Sequence, residues 1–266
     1  MNIREALLGM DEWKGTGATF DGNPVLECGS WSMVTISDLH LYHEGLHAQL
    51  KEIGIEPEGV VVASRHSSAA GRKSLTVHPL GNFGKADYGG NPSTLVPPLP
   101  HAMTHALRTL KSFSAGLDTA VSFEATHHGP YLAFPTFFIE IGSSATEWSE
   151  RPYAMAIART IMALVRTGFA KDDPVAIGIG GGHYVPRITD VALTRRVSFG
   201  HMVPSYVASE AGWREAVSLA IGSTPGLSCA YIDRKSLRGS RVREVEALLA
   251  ERSIRVVRNE DLLPIA

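Results

Sequence analysis

The sequence predicts a three-layer α/β/α sandwich on a mixed, mostly parallel sheet, as one domain over residues 1–266. Two patterns predict it. Short β-branched runs alternate along the chain with amphipathic stretches, the order expected of strands packed between helices. Within those runs, Val60-Val61-Val62-Ala63 and Phe137-Phe138-Ile139 are apolar at consecutive positions, which fits strands covered on both faces.

Taken in order, the amphipathic stretches place helices at about 2–10, 43–53, 101–115, 151–167, 187–195, 212–221 and 239–252. The β-branched runs place strands at 33–36, 59–64, 74–78, 119–125, 136–142, 174–178, 228–232 and 254–257. Residues 81–100 carry Gly89, Gly90, Pro92, Pro97, Pro98 and Pro100, so they read as a long loop, and loops of that length are usually functional. No repeat, low-complexity tract or linker divides the chain.

Composition narrows the function classes. With 266 residues, 44% hydrophobic and 20% charged, the chain is long and apolar enough to bury a core and too apolar for disorder. No apolar run approaches the ~18 residues of a spanning helix, and Met1–Glu5 lacks a signal-peptide layout, so a cytoplasmic, monomeric protein without a membrane partner is expected. Cys28 and Cys229 are too few for a disulfide framework and are expected to be buried thiols.

The net charge of −2 gives no global field for nucleic acid, but charge is polarised along the sequence. Residues 1–60 hold ten acids against three bases, whereas 234–258 hold eight bases against three acids. Arg234, Lys235, Arg238 and Arg241 are therefore the candidate contacts to a phosphate backbone, the alternative being a solvated helix face.

Six of the eleven histidines fall at the ends of expected strands. His66 follows 60–64, His78 ends 75–77, His127 and His128 follow 121–125, His183 follows 177–182, and His201 follows 197–200. A histidine at one strand end is ordinarily a packing residue. Five strand ends carrying one, most with Gly or Pro beside them, point to convergence in the crevice where open α/β sheets bind ligands. Glu124 precedes the His127-His128 pair, and Glu140 sits in an otherwise apolar strand where an unpaired carboxylate would be costly. Zinc accepts both imidazole nitrogen and carboxylate oxygen, and an open position would hold a water of pKa ~7.

The candidate ligands are thus His66, His127, His128, His183 and His201, for one or two zinc ions, with Glu124, Glu140 and His128 as acid–base groups. His40, His43, His47, His101 and His105 have helical spacing but no HExxH motif, and are read as surface or capping residues. Gly178-Ile179-Gly180-Gly181-Gly182-His183 lacks both the GK[ST] of a P-loop and the last glycine of GxGxxG. The backbone of Gly180, Gly181 and Gly182 is read instead as a surface for substrate or an oxyanion, with His78, Gly129, Pro130 and Tyr184 beside it. No GxSxG elbow is present.

Ser64-Arg65-His66-Ser67-Ser68, Leu75-Thr76-Val77-His78 with Gly81-Asn82, Glu124-Ala125-Thr126-His127-His128-Gly129-Pro130, Phe138-Ile139-Glu140-Ile141-Gly142-Ser143-Ser144 with Glu147-Trp148, Gly178–His183 with Tyr184, and Gly200-His201 together resemble the archaeal-type D-aminoacyl-tRNA deacylases, also found in plants. The resemblance spans residues 64–206. It implies a zinc-dependent enzyme that hydrolyses the ester between a D-amino acid and tRNA, on a fold similar to the phosphorylase/peptidyl-hydrolase sandwich. It also implies a strand ahead of the first helix, where this sequence places the helix at once, at Asn2–Glu5, as from a downstream start or a missing strand.

A zinc amidase or peptidase on the same sandwich is the rival enzyme, and dependence on tRNA separates the two. A nucleoside phosphorylase-like protein would rest on fold analogy alone, with no phosphate motif behind it. A metal-stabilised RNA-binding module is the non-enzymatic rival, but structural zinc sites are usually rich in Cys.

Overall fold

The computed structural model describes residues 2–10, 12–67 and 71–265. It opens with helix α1 (Ile3–Leu8), closed by a reciprocal cap: Glu5 N–H donates to Asn2 Oδ1 at 2.8 Å, and Asn2 N–H to Glu5 Oε2 at 3.0 Å. An antiparallel meander follows, of β1 (Lys14–Phe20), β2 (Asn23–Cys28) and β3 (Trp31–Met33), and then α2 (Leu46–Glu52). Sequence patterning misses the first two of these strands. Gly15, Thr16 and Gly17 are exposed, and the β1–β2 register shifts across them, so no alternation marks the strand. The expected strand at 33–36 is confined to β3, which ends at Met33.

The first half of the central layer runs β4 (Val60–Arg65), β5 (Ser74–Pro79), the two-residue pair β6 (Gly81–Asn82) and β7 (Thr94–Leu95), α3 (Pro100–Phe113), β8 (Ala120–Phe123), β9 (Thr136–Gly142), α4 (Ala145–Ser149) and α5 (Arg151–Thr167). Its strand order is β4-β9-β5-β8, parallel except for the antiparallel β5–β9 pair. The second half runs β10 (Val175–Ile179), α6 (Pro186–Thr194), β11 (Ser198–Val203), α7 (Ser205–Ala208), α8 (Trp213–Ser223), β12 (Leu227–Ile232), α9 (Gly239–Glu251) and β13 (Arg255–Val257). Here the order is β11-β10-β12-β13, all parallel.

Every residue of β5, β9, β10 and β11 is buried, as strands covered on both faces require. Alternate side chains enter different cores. Phe137 and Ile139, with Phe199 and Ala176, meet α1, α3, α5 and α6; Ile177, Val203 and Ala230 meet α8 and α9; Phe138 meets α2 and the meander. This is the three-layer sandwich. Val60–Ala63 departs from the reading, because β4 is an edge: its valines are half-buried and Ala63 is exposed.

The halves meet where the chain leaves β8. Thr126 N–H donates to Met202 C=O at 3.0 Å and Met202 N–H to Thr126 Oγ1 at 2.9 Å. The Thr126 hydroxyl then meets Nδ1 of His201 at 3.1 Å. His201 is not past a strand end but inside β11, fully buried. Gly200, read as one of the glycines that open a ligand crevice, is instead a packing site: a Cβ there would lie 2.4 Å from Thr224 Cγ2.

The 81–100 loop is held down rather than free. Asn82 Nδ2 donates to the carbonyls of Gly89 at 2.9 Å and Asn91 at 3.3 Å. Gly89 and Gly90 cross directly over Gly129, whose N–H donates to Tyr88 C=O at 3.0 Å. Both cysteines are free, Cys229 buried and Cys28 half-buried. Among the described residues no helix is long and apolar enough to cross a membrane.

Two predictions follow from the seam and the crossing. Burial pushes the His201 imidazole down to about 3, against ~6.5 in an unfolded chain. The unfolded state therefore binds the extra proton, and the contribution of neutral His201 is full above pH 6.5 and lost as pH falls toward 3. In His201→Gln, the unfolding free energy measured by urea titration should fall less steeply over that window, by up to about one proton. In Gly129→Ala, the new Cβ would sit 2.2 Å from Gly90 N and 2.3 Å from Gly89 C, both backbone. Overpacking of that kind costs about 1–3 kcal/mol, and calorimetry should show a Tm lower by several degrees.

Candidate metal and active site

Five chain segments deliver the site. β5 carries His78 opposite Phe138, and β9 carries Glu140 between Ser64 of β4 and Thr76 of β5. The extension of β8 brings Glu124, His127 and His128. The turn after β4 brings His66, whose N–H donates to Ile141 C=O at 2.8 Å and whose C=O accepts Trp148 Nε1–H at 2.9 Å. Arg65 stacks 4.8 Å over the Trp148 ring and holds it there. Ser68, quoted in the same motif, lies outside the described residues. The glycine turn after β10 brings His183, whose C=O accepts Ala125 N–H at 2.8 Å.

Glu124 is the centre. Its carboxylate is fully buried, and no hydrogen-bond donor reaches either oxygen. Three imidazole nitrogens surround Oε2: His183 Nε2 at 3.2 Å, His127 Nε2 at 3.5 Å and His66 Nδ1 at 3.6 Å. The ligand atoms of this quartet lie within 4.8 Å of one another. A buried carboxylate left without donors is costly unless a cation completes it, so donor set and environment fit a divalent metal. His127 Nδ1–H donates to Ala125 C=O at 2.7 Å, which leaves Nε2 as the bare nitrogen facing the cluster.

Glu140 makes a second, different arrangement. Its Oε1 accepts the Ser64 hydroxyl at 2.5 Å, and Oε2 faces His78 Nε2 at 3.3 Å and His66 Nδ1 at 3.6 Å. Burial would raise the Glu140 carboxyl, but the paired imidazoles hold it well below the usual range. His78 Nδ1 meets Pro79 C=O at 3.1 Å, so both its nitrogens face acceptors and both carry protons. Burial pulls its pKa down and Glu140 more than restores it, giving a net rise. His78 is thus half of a buried ion pair stacked on Phe138 at 5.2 Å, although its nitrogens also lie close enough to join two further ligand groups, with His127 and His128 or with the two glutamates.

His128 completes the row, its ring centroid 4.3 Å from that of His127 and 4.9 Å from that of His78. Its backbone is left-handed at φ +47°, a strained conformation held by the crossing at Gly129 and by Gly81 N–H, which donates to His128 C=O at 2.8 Å. Nδ1–H donates to Gly129 C=O at 2.6 Å, and burial first, then the charge of His78, lowers the imidazole to about 4. His128 is therefore neutral at neutral pH with Nε2 bare.

Several sequence-based choices land elsewhere. His201 joins none of the three ligand groups; its ring serves the seam at Thr126. The amides of Gly180 and Gly181 are spent on Val203 C=O at 2.8 Å and Ser236 Oγ at 2.7 Å, so they shape the turn rather than face an oxyanion; Gly182 is exposed. Tyr184 lies beside the cluster, its hydroxyl 3.5 Å from His66 Nε2. Of the basic stretch, Arg234 pairs with Glu246, and Arg241 pairs with Glu244 at 3.4 Å and stacks on Trp213, while Lys235 and Arg238 are exposed.

Two groups near the site escaped the sequence. Ser64 stands in a quoted motif but has no role there, since only its register opposite Glu140 gives it one. His40 was grouped with the capping histidines, yet its ring packs on Phe138 at 5.5 Å, and burial lowers its pKa. His43 does behave as a structural residue, bound by Asp38 at 2.7 Å and Gln49 at 2.8 Å.

Comparison with known proteins bears on this arrangement. The profile of the D-aminoacyl-tRNA deacylase family matches residues 53–257. A Pyrococcus furiosus protein named D-aminoacyl-tRNA deacylase is 38% identical over 262 residues, covering 97% of this chain and 95% of that one. A Thermococcus onnurineus protein of the same name is 37% identical with the same coverage. A third, from Methanococcoides burtonii, is 35% identical over 98% of this chain, which spans 54% of that longer relative. A crystal structure described as a conserved protein of unknown function superposes with a TM-score of 0.85 at 29% identity, over 98% of this chain and 91% of that one. The chain belongs to the D-aminoacyl-tRNA deacylase family.

Proposed function

We propose that this protein hydrolyses the ester of D-aminoacyl-tRNA, releasing the D-amino acid and tRNA, at a zinc site made by His66, Glu124, His127 and His183. The observation that carries the reading is the donor-free, buried Glu124 carboxylate ringed by three imidazole nitrogens at 3.2–3.6 Å. Family membership and the names of the relatives support the reaction and the substrate class.

A zinc ion held there supplies Lewis-acid polarisation of a carbonyl and acidifies water to a pKa of ~7. The other groups belong to the chain. His128, kept neutral and bare at Nε2, accepts the proton of the attacking water. Glu140 and His78 hold one proton between them on the floor of the site and fix the side of His66 that faces Glu124. The His128-Gly129-Pro130 turn, fixed by the close crossing of Gly129 under Gly89 and Gly90, limits the room beside Cα to one hand, which favours the D substrate. The exposed Lys235 and Arg238 meet the tRNA backbone.

Metal analysis with deacylation of D-aminoacyl-tRNA before and after chelation tests the reading. Activity should fall on chelation and return with zinc; full activity in a metal-free sample removes the proposal. Glu124→Gln should lose bound zinc and more than ~100-fold in kcat/KM while the fold persists by circular dichroism. Equal rates on matched D- and L-aminoacyl-tRNA would refute the chiral assignment.

A further inference from the structure

The row of imidazoles has two dissimilar ends. From His66 and His183, whose ring centroids are 5.5 Å apart, it passes through His127, 4.7 Å from His183, to His128. At the His183 end, three loops are tied together. Ser205 N–H donates to Gly181 C=O at 2.8 Å and Gly181 N–H to Ser236 Oγ at 2.7 Å, so the start of α7 and the turn after β12 both rest on the turn that carries His183.

That end presents aromatic rings and cations together. The Tyr184 ring lies 5.1 Å from that of His183, with the Arg72 guanidinium 5.7 Å above it. Tyr206, next to Ser205, is 53% exposed. Arg72, Arg187, Lys235 and Arg238 are all exposed, Arg187 pairing with Asp233 at 3.2 Å. A cavity of about 230 Å³ opens between Arg72, Ser122, Tyr184 and Asp190.

The His128 end differs in charge. Glu44 Oε1 accepts Gly90 N–H at 3.0 Å and Tyr131 N–H at 3.2 Å, knotting the segments that bear Tyr42, Tyr88 and Tyr131, all three exposed. The exposed acids here are Glu44 and Asp87, against Lys85 as the base of the same loop. Phosphate is disfavoured at such an end, whereas an apolar or aromatic amino-acid side chain is not.

We infer that the substrate lies in one direction: its 3′-terminal nucleotide sits at the His183 end on Tyr184 and Tyr206 with Arg72 and Arg187 toward its phosphates, and its aminoacyl group points to His128, Tyr88 and Tyr131. This rests on the deacylase reading above and adds a polarity to it. Exposed aromatic rings beside cations are what a single-stranded nucleotide end recognises, by stacking and by phosphate contact.

Two substrates separate the ends: D-tyrosyl-tRNA, and the D-tyrosyl ester of adenosine, which has the same acyl group and no phosphates. An Arg72→Ala/Arg187→Ala double variant should raise KM for the tRNA substrate ~10-fold or more and flatten the dependence of log kcat/KM on log salt. Its loss on the adenosine ester should be at least several-fold smaller. Tyr206→Ala should weaken both substrates, with Tyr206→Phe restoring them. Tyr131→Ala and Tyr88→Ala should cost both substrates alike, and more with D-tyrosyl than with D-alanyl. Equal losses on the two substrates from the arginine variant, or a tRNA-selective loss from the Tyr88 and Tyr131 variants, would overturn the direction. A parent protein that cleaves neither substrate would instead sink the deacylase reading itself, a result visible before any substitution is made. Thermal melting of each variant guards against misfolding: Arg72, being exposed, is expected to tolerate alanine, and because Arg187 pairs with the buried Asp233, Arg187→Lys replaces Arg187→Ala in the double variant where the alanine lowers Tm.

Discussion

A single carboxylate organises the molecule's chemistry. The Glu124 carboxyl group lies where neither solvent nor any N–H or O–H donor reaches it, and three imidazoles turn toward one of its oxygens. Such a group has few ways to exist in a folded chain. It must either take up a proton or share a cation, and imidazole nitrogens of the kind around it are donors that a metal accepts. Glu140, only a few ångströms away across His66, solves the same problem differently, with a serine hydroxyl and an imidazolium. Two carboxylates in one cleft are thereby driven to separate roles by their surroundings alone.

Much of this was legible before any coordinates. Five of the six histidines read as lying at strand ends do meet, His201 being the exception, because an α/β layer carries most of its connections to the same edge and an alternating strand–helix order is visible in the apolar pattern. Helix α5 was bounded correctly at both ends, where Pro152 marks the start and Gly168 the stop. The pairing of Phe137-Phe138-Ile139 with both covering layers was equally clear.

What stayed hidden has physical reasons. β1 shows glycine and threonine to solvent, so nothing in its composition separates it from a loop. Gly200 and Gly180 look alike in sequence, yet one makes room for Thr224 and the other for Ser236, distinctions that only tertiary packing draws. The glycine amides pointed to an oxyanion surface until their bonds to Val203 and Ser236 accounted for them. His201 differs for a related reason: the sequence reads it as a ligand just past a strand end, whereas it lies inside β11 with its ring the buried partner of a threonine.

That threonine has a wider consequence. Glu124, His127 and His128 lie on either side of Thr126, whose backbone and hydroxyl both bond Met202 of the other half-layer, while His183 belongs to the far half. Docking of the two halves and assembly of the ligand set are therefore one event, closed by contacts distant in sequence. Any ion that prefers the assembled set draws its affinity partly from that closure and returns it as cohesion of the whole chain, in proportion to its concentration over its dissociation constant.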